Sequence, residues 1–203
     1  MVPIINPQKF KFLLPGVIFT KNCSKRKVYF TFDDGPDPIA TPFVLKELAK
    51  YNAKATFFVT GKNAEKFPDL LKQISEEGHA LGNHTYSHIS GWSTTNNGYL
   101  EEVKKCSDIV RSSLFRPPYG RIYPWQALKI QRAGYQIVMW DLLTYDFNIK
   151  LLSKKPIEKM LKRIKDGSII VFHDTPKPLE NLKNLLPRYL EYCHREGLVF
   201  DSL

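Results

Sequence analysis

From residue 27 to the C-terminus the sequence alternates between short β-like runs and amphipathic helical stretches. Runs typical of strands lie at 27–30, 55–59, 79–82, 114–116, 136–141, 168–172 and 198–201. Between them apolar residues recur at helical spacing, as at Val44, Leu45 and Leu48. About seven such units predict an α/β fold with parallel strands covered by helices. The strands could close as a barrel or remain an open doubly wound sheet, and periodicity alone does not separate these.

The length and charge of the chain indicate one domain with a basic leading segment. A chain of 203 residues fits a single domain, which we place at 27–203 after an N-terminal extension at 1–26. Residues 1–27 contain six basic residues and no acidic one. Such a patch favours an anionic polymer or membrane surface, although a solvated basic edge is the preferred interpretation. No recognition helix or zinc module for nucleic acid is evident.

Targeting and cysteine signals are weak. The apolar run at 12–19 is too short to span a bilayer and has no cleavage-site pattern, so no signal peptide or transmembrane span is predicted. The compartment, cytoplasmic or cell-envelope associated, is left open, as is the oligomeric state. Cys23, Cys106 and Cys193 form no paired spacing and are predicted to fill packing positions.

Ionisable residues follow several of the predicted strands directly. They are Asp33 and Asp34, His84 and His88, Arg116, Asp146 and His173. In parallel α/β folds the carboxyl ends of the strands form the face on which active sites are built. The sequence therefore predicts one site that gathers these side chains.

Two histidines and a carboxylate in this set have the chemistry of a metal site. Successive side chains on an extended chain point to opposite sides, so one of Asp33 and Asp34 can face a metal and the other a substrate. The alternative is a turn in which both bond their own backbone. The i, i+4 spacing of His84 and His88 predicts two imidazoles on one side of a helical turn. Two histidines and one carboxylate suit a divalent Lewis acid, but non-haem iron enzymes use similar ligands.

The remaining residues favour hydrolysis. A carboxylate beside a metal can act as general base on a bound water, and a histidine across the site can act as general acid. Asp33 and His173 fit these two roles. Arg116 is placed to pair with Asp33 and keep it ionised. This set predicts metal-assisted hydrolysis of an amide or ester.

Four motifs in order resemble those of the polysaccharide deacetylase family, also called the NodB-homology domain or carbohydrate esterase family 4. They are residues 31–36 (TFDDGP), 84–88 (HTYSH), 116–120 (RPPYG) and 171–174 (VFHD). The resemblance covers about residues 27–203. It implies a distorted (β/α) barrel, similar to a TIM barrel, that removes N-acetyl or O-acetyl groups from a sugar.

The resemblance also implies roles for individual residues. Asp34, His84 and His88 would hold a divalent ion of the zinc type, with Co²⁺ or Ni²⁺ as alternatives. Asp33 would be the general base and His173 the general acid. Arg116 would orient Asp33, and the backbone N–H of Tyr119 would help to hold the oxyanion. The predicted substrate-binding residues are Pro117, Pro118, Trp140, Phe147 and Val171.

The fourth motif of the family departs from its usual pattern at 140–147 (WDLLTYDF). The family commonly shows a Trp, two Asp three residues apart and a second Trp. Leu143 stands in place of the first Asp, and Phe147 replaces the second Trp. The acid that tunes the catalytic histidine is therefore predicted to be either Asp146 or Asp141.

These observations leave several functions to be compared. The first is a metal-dependent deacetylase of an N-acetylglucosamine polymer such as peptidoglycan or chitin-type oligomers, with O-acetylated xylan or a lipid-linked sugar as alternative substrates. The second is a non-catalytic, metal-containing glycan-binding module, and the third is an iron oxygenase. Trp92, in a predicted exposed loop at 89–98, is interpreted as a packing residue, with stacking on a sugar ring as the alternative.

Overall fold

The computed structural model describes residues 14–21, 26–153 and 156–203. The strands are β1 (Lys27–Asp33), β2 (Ala55–Val59), β3 (Ala80–Asn83), β4 (Leu114–Phe115), β5 (Gln136–Ile137), β6 (Leu142–Leu143), β7 (Ile169–His173) and β8 (Val199–Phe200). The helices are α1 (Ala40–Ala49), α2 (Gly61–Lys66), α3 (Pro68–Glu76), α4 (Asn96–Ser107), α5 (Pro124–Arg132), α6 (Ile149–Leu152), α7 (Ile157–Leu161) and α8 (Leu179–Arg195). None of the helices in these ranges is long and apolar enough to cross a membrane.

The sheet is a curled half-barrel in which neighbouring strands pair in parallel. The strand order is β5-β4-β3-β2-β1-β7-β6, with β8 added beside the start of β1. In the direction β6-β7-β1-β2-β3-β4-β5, each strand lies beside the next one in the chain except where the order returns from β7 to β1, as in a singly wound barrel. The barrel is open between β5 and β6. The prediction of a distorted (β/α) barrel is therefore confirmed, and the doubly wound alternative is excluded.

The predicted strand at 136–141 is wrong, because this run divides between the two edges of the sheet. β5 pairs with β4, whereas β6 pairs with β7. The residues between them cross the opening, where Val138 and Met139 are buried and Val138 bridges Ile18. Both residues fit a strand pattern because they are apolar, but an apolar run indicates only that residues are buried and does not indicate which strand they pair with.

Part of the N-terminal extension lies against the barrel opening. Leu14, Val17 and Phe19 are buried in the core, and Thr20 forms an antiparallel bridge with Ser168. This segment forms isolated bridges, Ile18 with Val138 and Thr20 with Ser168, rather than a continuous strand. Cys23 and the basic residues at 9, 11 and 25 lie outside the described residues.

Side chains of β1 alternate between the helical layer and the barrel interior. Phe30 and Phe32 face the helices, where Phe32 stacks on Phe57 of β2 and on Phe172 of β7. Thr31 and Asp33 share the opposite face, because side chains two apart on a strand point the same way. This alternation directs Asp33 into the barrel.

Several predicted element boundaries need correction. The start of helix α1 is capped by Asp37, whose side chain accepts hydrogen bonds from the N–H groups of Ile39 and Ala40. The loop predicted at 89–98 contains a 3₁₀ turn at Gly91–Ser93, of which only Gly91 is buried, and α4 already begins at Asn96. Cys106 and Cys193 are buried, as predicted.

Candidate active site

The predicted site residues meet at the carboxyl ends of the parallel strands. Asp33 ends β1 and pairs in register with His173, which ends β7. On the other side, Asn83 of β3 pairs with Phe115 of β4, so the next residues, His84 and Arg116, leave the sheet together. The strand register thus brings the two halves of the site to one edge.

Asp34, His84 and His88 form the candidate metal centre. Their ligand atoms all lie within 4.8 Å of one another, and Nε2 of His84 and of His88 lie 3.4 and 2.9 Å from Asp34 Oδ1. Among the described residues, no donor meets Oδ1 in hydrogen-bond geometry although this atom is buried. Burial alone would raise the pKa of Asp34, but the two imidazoles hold it well below its usual value.

The second nitrogen of His84 supports a role as a metal ligand. Its Nδ1 lies 2.7 Å from the carbonyl oxygen of Arg116. A carbonyl only accepts, so Nδ1 carries the hydrogen, and in the neutral imidazole Nε2 has the free lone pair that a metal ligand needs. Histidine ligands are commonly oriented in this way. These residues therefore fit a divalent cation.

The two histidines are brought together by a loop, so the predicted helical turn is wrong. Thr85 and His88 both have left-handed backbone conformations, with φ of 63° and 57°. Asn83 holds the loop, because its side chain accepts from the N–H of Thr85 and donates to the carbonyl of Val103. The imidazole centroids are consequently 5.1 Å apart.

Uncommon backbone conformations cluster around this centre. Among the described residues, the non-glycine positions with positive φ are Asp34, Asn52, Thr85, His88, Tyr119 and Tyr145. All except Asn52 belong to loops that carry candidate site residues. Such conformations are unfavourable for most residues and concentrate at functional sites.

Arg116 is fully buried and links the carboxylate of Asp33 to the barrel interior. Its Nη1 donates to Asp33 Oδ1 and to Thr31 Oγ1, both at 2.7 Å. The rest of the guanidinium donates to the carbonyls of Val138 and Met139 and lies 4.1 Å from the ring of Phe58. Burial lowers the pKa of Arg116, and the charge of Asp33 opposes that effect.

Asp146 is the carboxylate that contacts His173. Its Oδ1 lies 2.8 Å from His173 Nδ1, and its Oδ2 accepts from the backbone N–H of His173 at 2.7 Å. Asp141 instead accepts from Ser168 Oγ and the N–H of Ile169. Burial alone would lower the pKa of His173, but Asp146, with the more distant Asp34 and Asp33, raises it to about 9.

The predicted substrate-binding residues differ in burial and in their distance from the catalytic side chains. Phe147 packs its ring edge-on to His173, with centroids 4.8 Å apart. Trp140 is largely buried near Arg116, and Pro117 and Pro118 are buried in the turn before Tyr119. Val171 is buried inside β7. Its direct contact with substrate stays a prediction. Tyr119 itself is exposed, and its ring lies 4.6 Å from that of His88.

Two supporting residues were missed from the predicted site. Asn63 donates through Nδ2 to the carbonyl of Asp34, and nothing in its sequence context signals this contact. Asp174 follows His173, is fully buried and accepts a 2.6 Å hydrogen bond from Thr41 Oγ1. Burial raises the pKa of Asp174 to about 8. Its carboxyl group also fills the space in which a Cβ at Gly35 would lie, 2.3 Å from Oδ2.

A cavity of about 240 Å³ opens beside the candidate metal centre. It is lined by Asp34, Thr60, Lys62, Asn63, Tyr86, Ser87, His88 and Thr175. A substrate that enters this cavity comes into direct contact with Asp34 and His88. The arrangement thus combines a candidate Lewis-acid site, an oriented carboxylate and a histidine paired with a second carboxylate.

Comparison with known families agrees with this geometry. The profile described as "Polysaccharide deacetylase" matches residues 20–138 of the 203-residue chain. The chain belongs to the polysaccharide deacetylase family. The class predicted from the sequence, a carbohydrate deacetylase, is thereby confirmed.

Relatives of this polysaccharide deacetylase carry more specific names. It is 39% identical to a peptidoglycan-N-acetylglucosamine deacetylase of Bacillus cereus over 91% of this chain and 70% of the relative. It is 32% identical to the peptidoglycan-N-acetylmuramic acid deacetylase PdaA of Bacillus subtilis over 90% and 72% of the two chains. The crystal structure of a peptidoglycan N-acetylglucosamine deacetylase in complex with a benzamide ligand superposes with a TM-score of 0.84 at 32% identity. That superposition covers 93% of this chain and 91% of the other.

Proposed function

We propose that this protein is a metal-dependent N-deacetylase of an N-acetylglucosamine-containing polymer, with the glycan strand of peptidoglycan as its substrate. The proposal depends on one observation: two separate ion pairs lie beside one candidate metal centre. Asp33 is held by Arg116 and His173 is held by Asp146, on neighbouring strands. A base and an acid with separate partners are what amide hydrolysis needs.

The side chains would divide the work of acetyl removal. When bound by Asp34, His84 and His88, a divalent cation such as Zn²⁺ supplies Lewis-acid polarisation of the acetyl carbonyl. Asp33 accepts a proton from the attacking water, and the guanidinium of Arg116 pairs with this carboxylate and holds its orientation. His173 donates a proton to the departing sugar nitrogen, and the backbone N–H of Tyr119 hydrogen-bonds to the developing oxyanion.

The names of the relatives support the choice of substrate. Two sugars of peptidoglycan appear in those names, N-acetylglucosamine and N-acetylmuramic acid. We choose the first because relatives with that name include the sequence at 39% identity and the crystal structure with a TM-score of 0.84. Hydrolysis of an O-acetyl sugar would use the same general base, Asp33, and the leaving group would be an alcohol in place of an amine.

Acetate release from defined glycans tests this proposal. Purified protein is incubated with N-acetylglucosamine oligomers and with peptidoglycan, before chelation, after chelation and after addition of Zn²⁺, Co²⁺ or Ni²⁺. Release that stops on chelation and returns with a metal is the expected result. Glycan binding without release would favour the binding module, and oxygen consumption with iron would favour the oxygenase.

The contact between Asp146 and His173 predicts a shift in the pH dependence of this reaction. His173 serves as an acid only while protonated, which holds below its raised pKa of about 9. Asp146→Asn removes the charge that favours the protonated form, so the alkaline limb of kcat/KM should move to lower pH by about 1 unit or more. Asp141→Asn is the matched control, since Asp141 bonds to Ser168 and Ile169. Equal shifts in both variants would contradict the assignment.

A further inference from the structure

A strip of aromatic side chains leads from the metal centre across the protein surface. We define this aromatic strip as Tyr119, Arg121, Trp92, Tyr123 and Trp125. It begins where the ring of Tyr119 meets that of His88, at a centroid distance of 4.6 Å. The guanidinium of Arg121 lies 5.8 Å from the ring of Tyr119 and 5.2 Å from that of Trp92. Trp92 then contacts Tyr123 at 6.3 Å, and Tyr123 stacks on Trp125 at 4.5 Å with 9° between the planes.

The strip is open to solvent. Tyr119, Trp92 and Trp125 are 53%, 41% and 51% exposed, whereas Trp140, the third tryptophan of the chain, is 7% exposed. Large apolar side chains that remain exposed in a contiguous group, rimmed by polar residues, usually mark a binding surface. Trp92 was interpreted as a packing residue, but packing accounts only for the buried part of this side chain and not for the exposed 41%.

Hydrogen bonds beneath the strip hold its rings in place. Trp125 donates through Nε1 to Asn96 Oδ1 at 2.9 Å. The fully buried Gln126 donates to the carbonyl of Gly91 and to Asn96, and its Oε1 accepts from the N–H of Tyr123. Two segments distant in sequence, 90–96 and 119–126, are thus joined into one surface. Rings fixed before binding lose little conformational entropy when a ligand stacks on them.

We propose that the aromatic strip binds the glycan strand on one side of the sugar that is deacetylated. Pyranose rings present flat C–H faces that pack on aromatic rings, and their hydroxyl and acetamido groups bond to polar neighbours such as Arg121. We assign the glycan as the ligand of the strip because the strip begins in contact with His88. A polymer bound at the metal centre must continue along the protein surface from there. This inference rests on the proposed function, since it assigns further subsites to the same substrate.

Single-stranded nucleic acid is the competing ligand, because bases also stack on exposed aromatic rings. Tight binding to nucleic acid requires cations along the phosphate backbone. The strip contains one guanidinium, that of Arg121, among four aromatic rings. Its chemistry therefore favours an uncharged or sparsely charged polymer.

Kinetics on substrates of different length test the strip. For Trp92→Ala and Trp125→Ala we expect KM for an N-acetylglucosamine hexamer to rise about tenfold, with kcat unchanged. KM for the disaccharide, which is too short to extend along the strip, should stay the same. Trp92→Phe and Trp125→Phe keep a stacking face and should recover most of the lost affinity. Val199→Ala, which trims an exposed apolar residue of β8, is the control.

Tryptophan fluorescence gives a readout that does not depend on turnover. Two of the three tryptophans lie on the strip, so the hexamer should change the emission of the wild-type protein even where no acetate is released. In each single alanine variant the remaining strip tryptophan should report weaker binding, at about tenfold higher hexamer concentration, and this would support the strip although the proposed function had failed. The inference is overturned if the hexamer produces no change, if KM rises equally for both lengths, or if an oligodeoxynucleotide binds and the glycan does not.

Discussion

Replacing both His84 and His88 with alanine is expected to lower acetate release at least a thousandfold and to remove the bound metal. The two imidazoles supply two of the three ligand atoms gathered within 4.8 Å, and Asp34 alone offers a single carboxylate. A bound divalent cation supplies several kcal/mol of transition-state stabilisation, which corresponds to a loss of at least about 10³ in rate. Metal content measured by mass spectrometry and acetate release, on the same samples, give the two readouts.

His79 provides a matched control for the double variant. It is also a buried histidine, but it accepts a hydrogen bond from the N–H of Ala55 and is not part of the metal-ligand group. Burial lowers its pKa to about 4, so it is neutral at pH 7. His79→Ala should therefore lose some stability while it keeps one metal and its turnover. Retention of metal and turnover by the His84 and His88 double variant would remove the basis for the proposed function.

The positions of the reactive residues were predictable because strand ends impose them. Any parallel α/β fold brings the carboxyl ends of its strands to one edge, so Asp33, His84, Arg116 and His173 had to converge. Hydrophobic runs alone located the strands that carry these residues. The pairing of Asp33 with Arg116 was also predictable, since a buried carboxylate needs a partner and Arg116 follows a strand that ends at the same face of the sheet.

Sequence patterns failed where tertiary pairing decides the local structure. The run at 136–143 is apolar except at Gln136 and Asp141, and only the barrel opening divides it into β5 and β6. The spacing of His84 and His88 suggests a helix, but the side chain of Asn83 and a left-handed Thr85 produce a loop instead. The choice between Asp146 and Asp141 likewise depended on which of them lies beside the end of β7.

The aromatic strip could not have been assembled from the sequence. Trp92 lies about thirty residues before Trp125, and no periodicity relates the two segments. Their contact depends on Gly91, because a Cβ there would lie 2.6 Å from Gln126 Oε1 and 2.7 Å from the carbonyl oxygen of Arg121. Packing of this kind is set by the tertiary fold and not by the local sequence.

Replacing Arg116 with methionine is expected to destabilise the fold by about 3–5 kcal/mol and to abolish turnover. The guanidinium is fully buried, and its loss leaves Asp33 charged and unpaired in the barrel, which is the costly way to break a buried ion pair. The carbonyls of Val138 and Met139 lose their donors as well. Urea unfolding measures the loss in free energy. Arg188→Met, which breaks an exposed pair with Glu158, should cost less than about 1 kcal/mol.

A double variant separates the structural from the catalytic effect of Arg116. Combining Arg116→Met with Asp33→Asn removes the unpaired charge, so the double variant should be more stable than Arg116→Met alone. Turnover should nevertheless stay at background, because the asparagine cannot accept the proton of the attacking water. Recovery of stability without recovery of activity would show that one ion pair both supports the barrel and holds the base. An Arg116→Met protein that unfolds at the same urea concentration as Arg188→Met would instead mean that this pair contributes nothing to the fold.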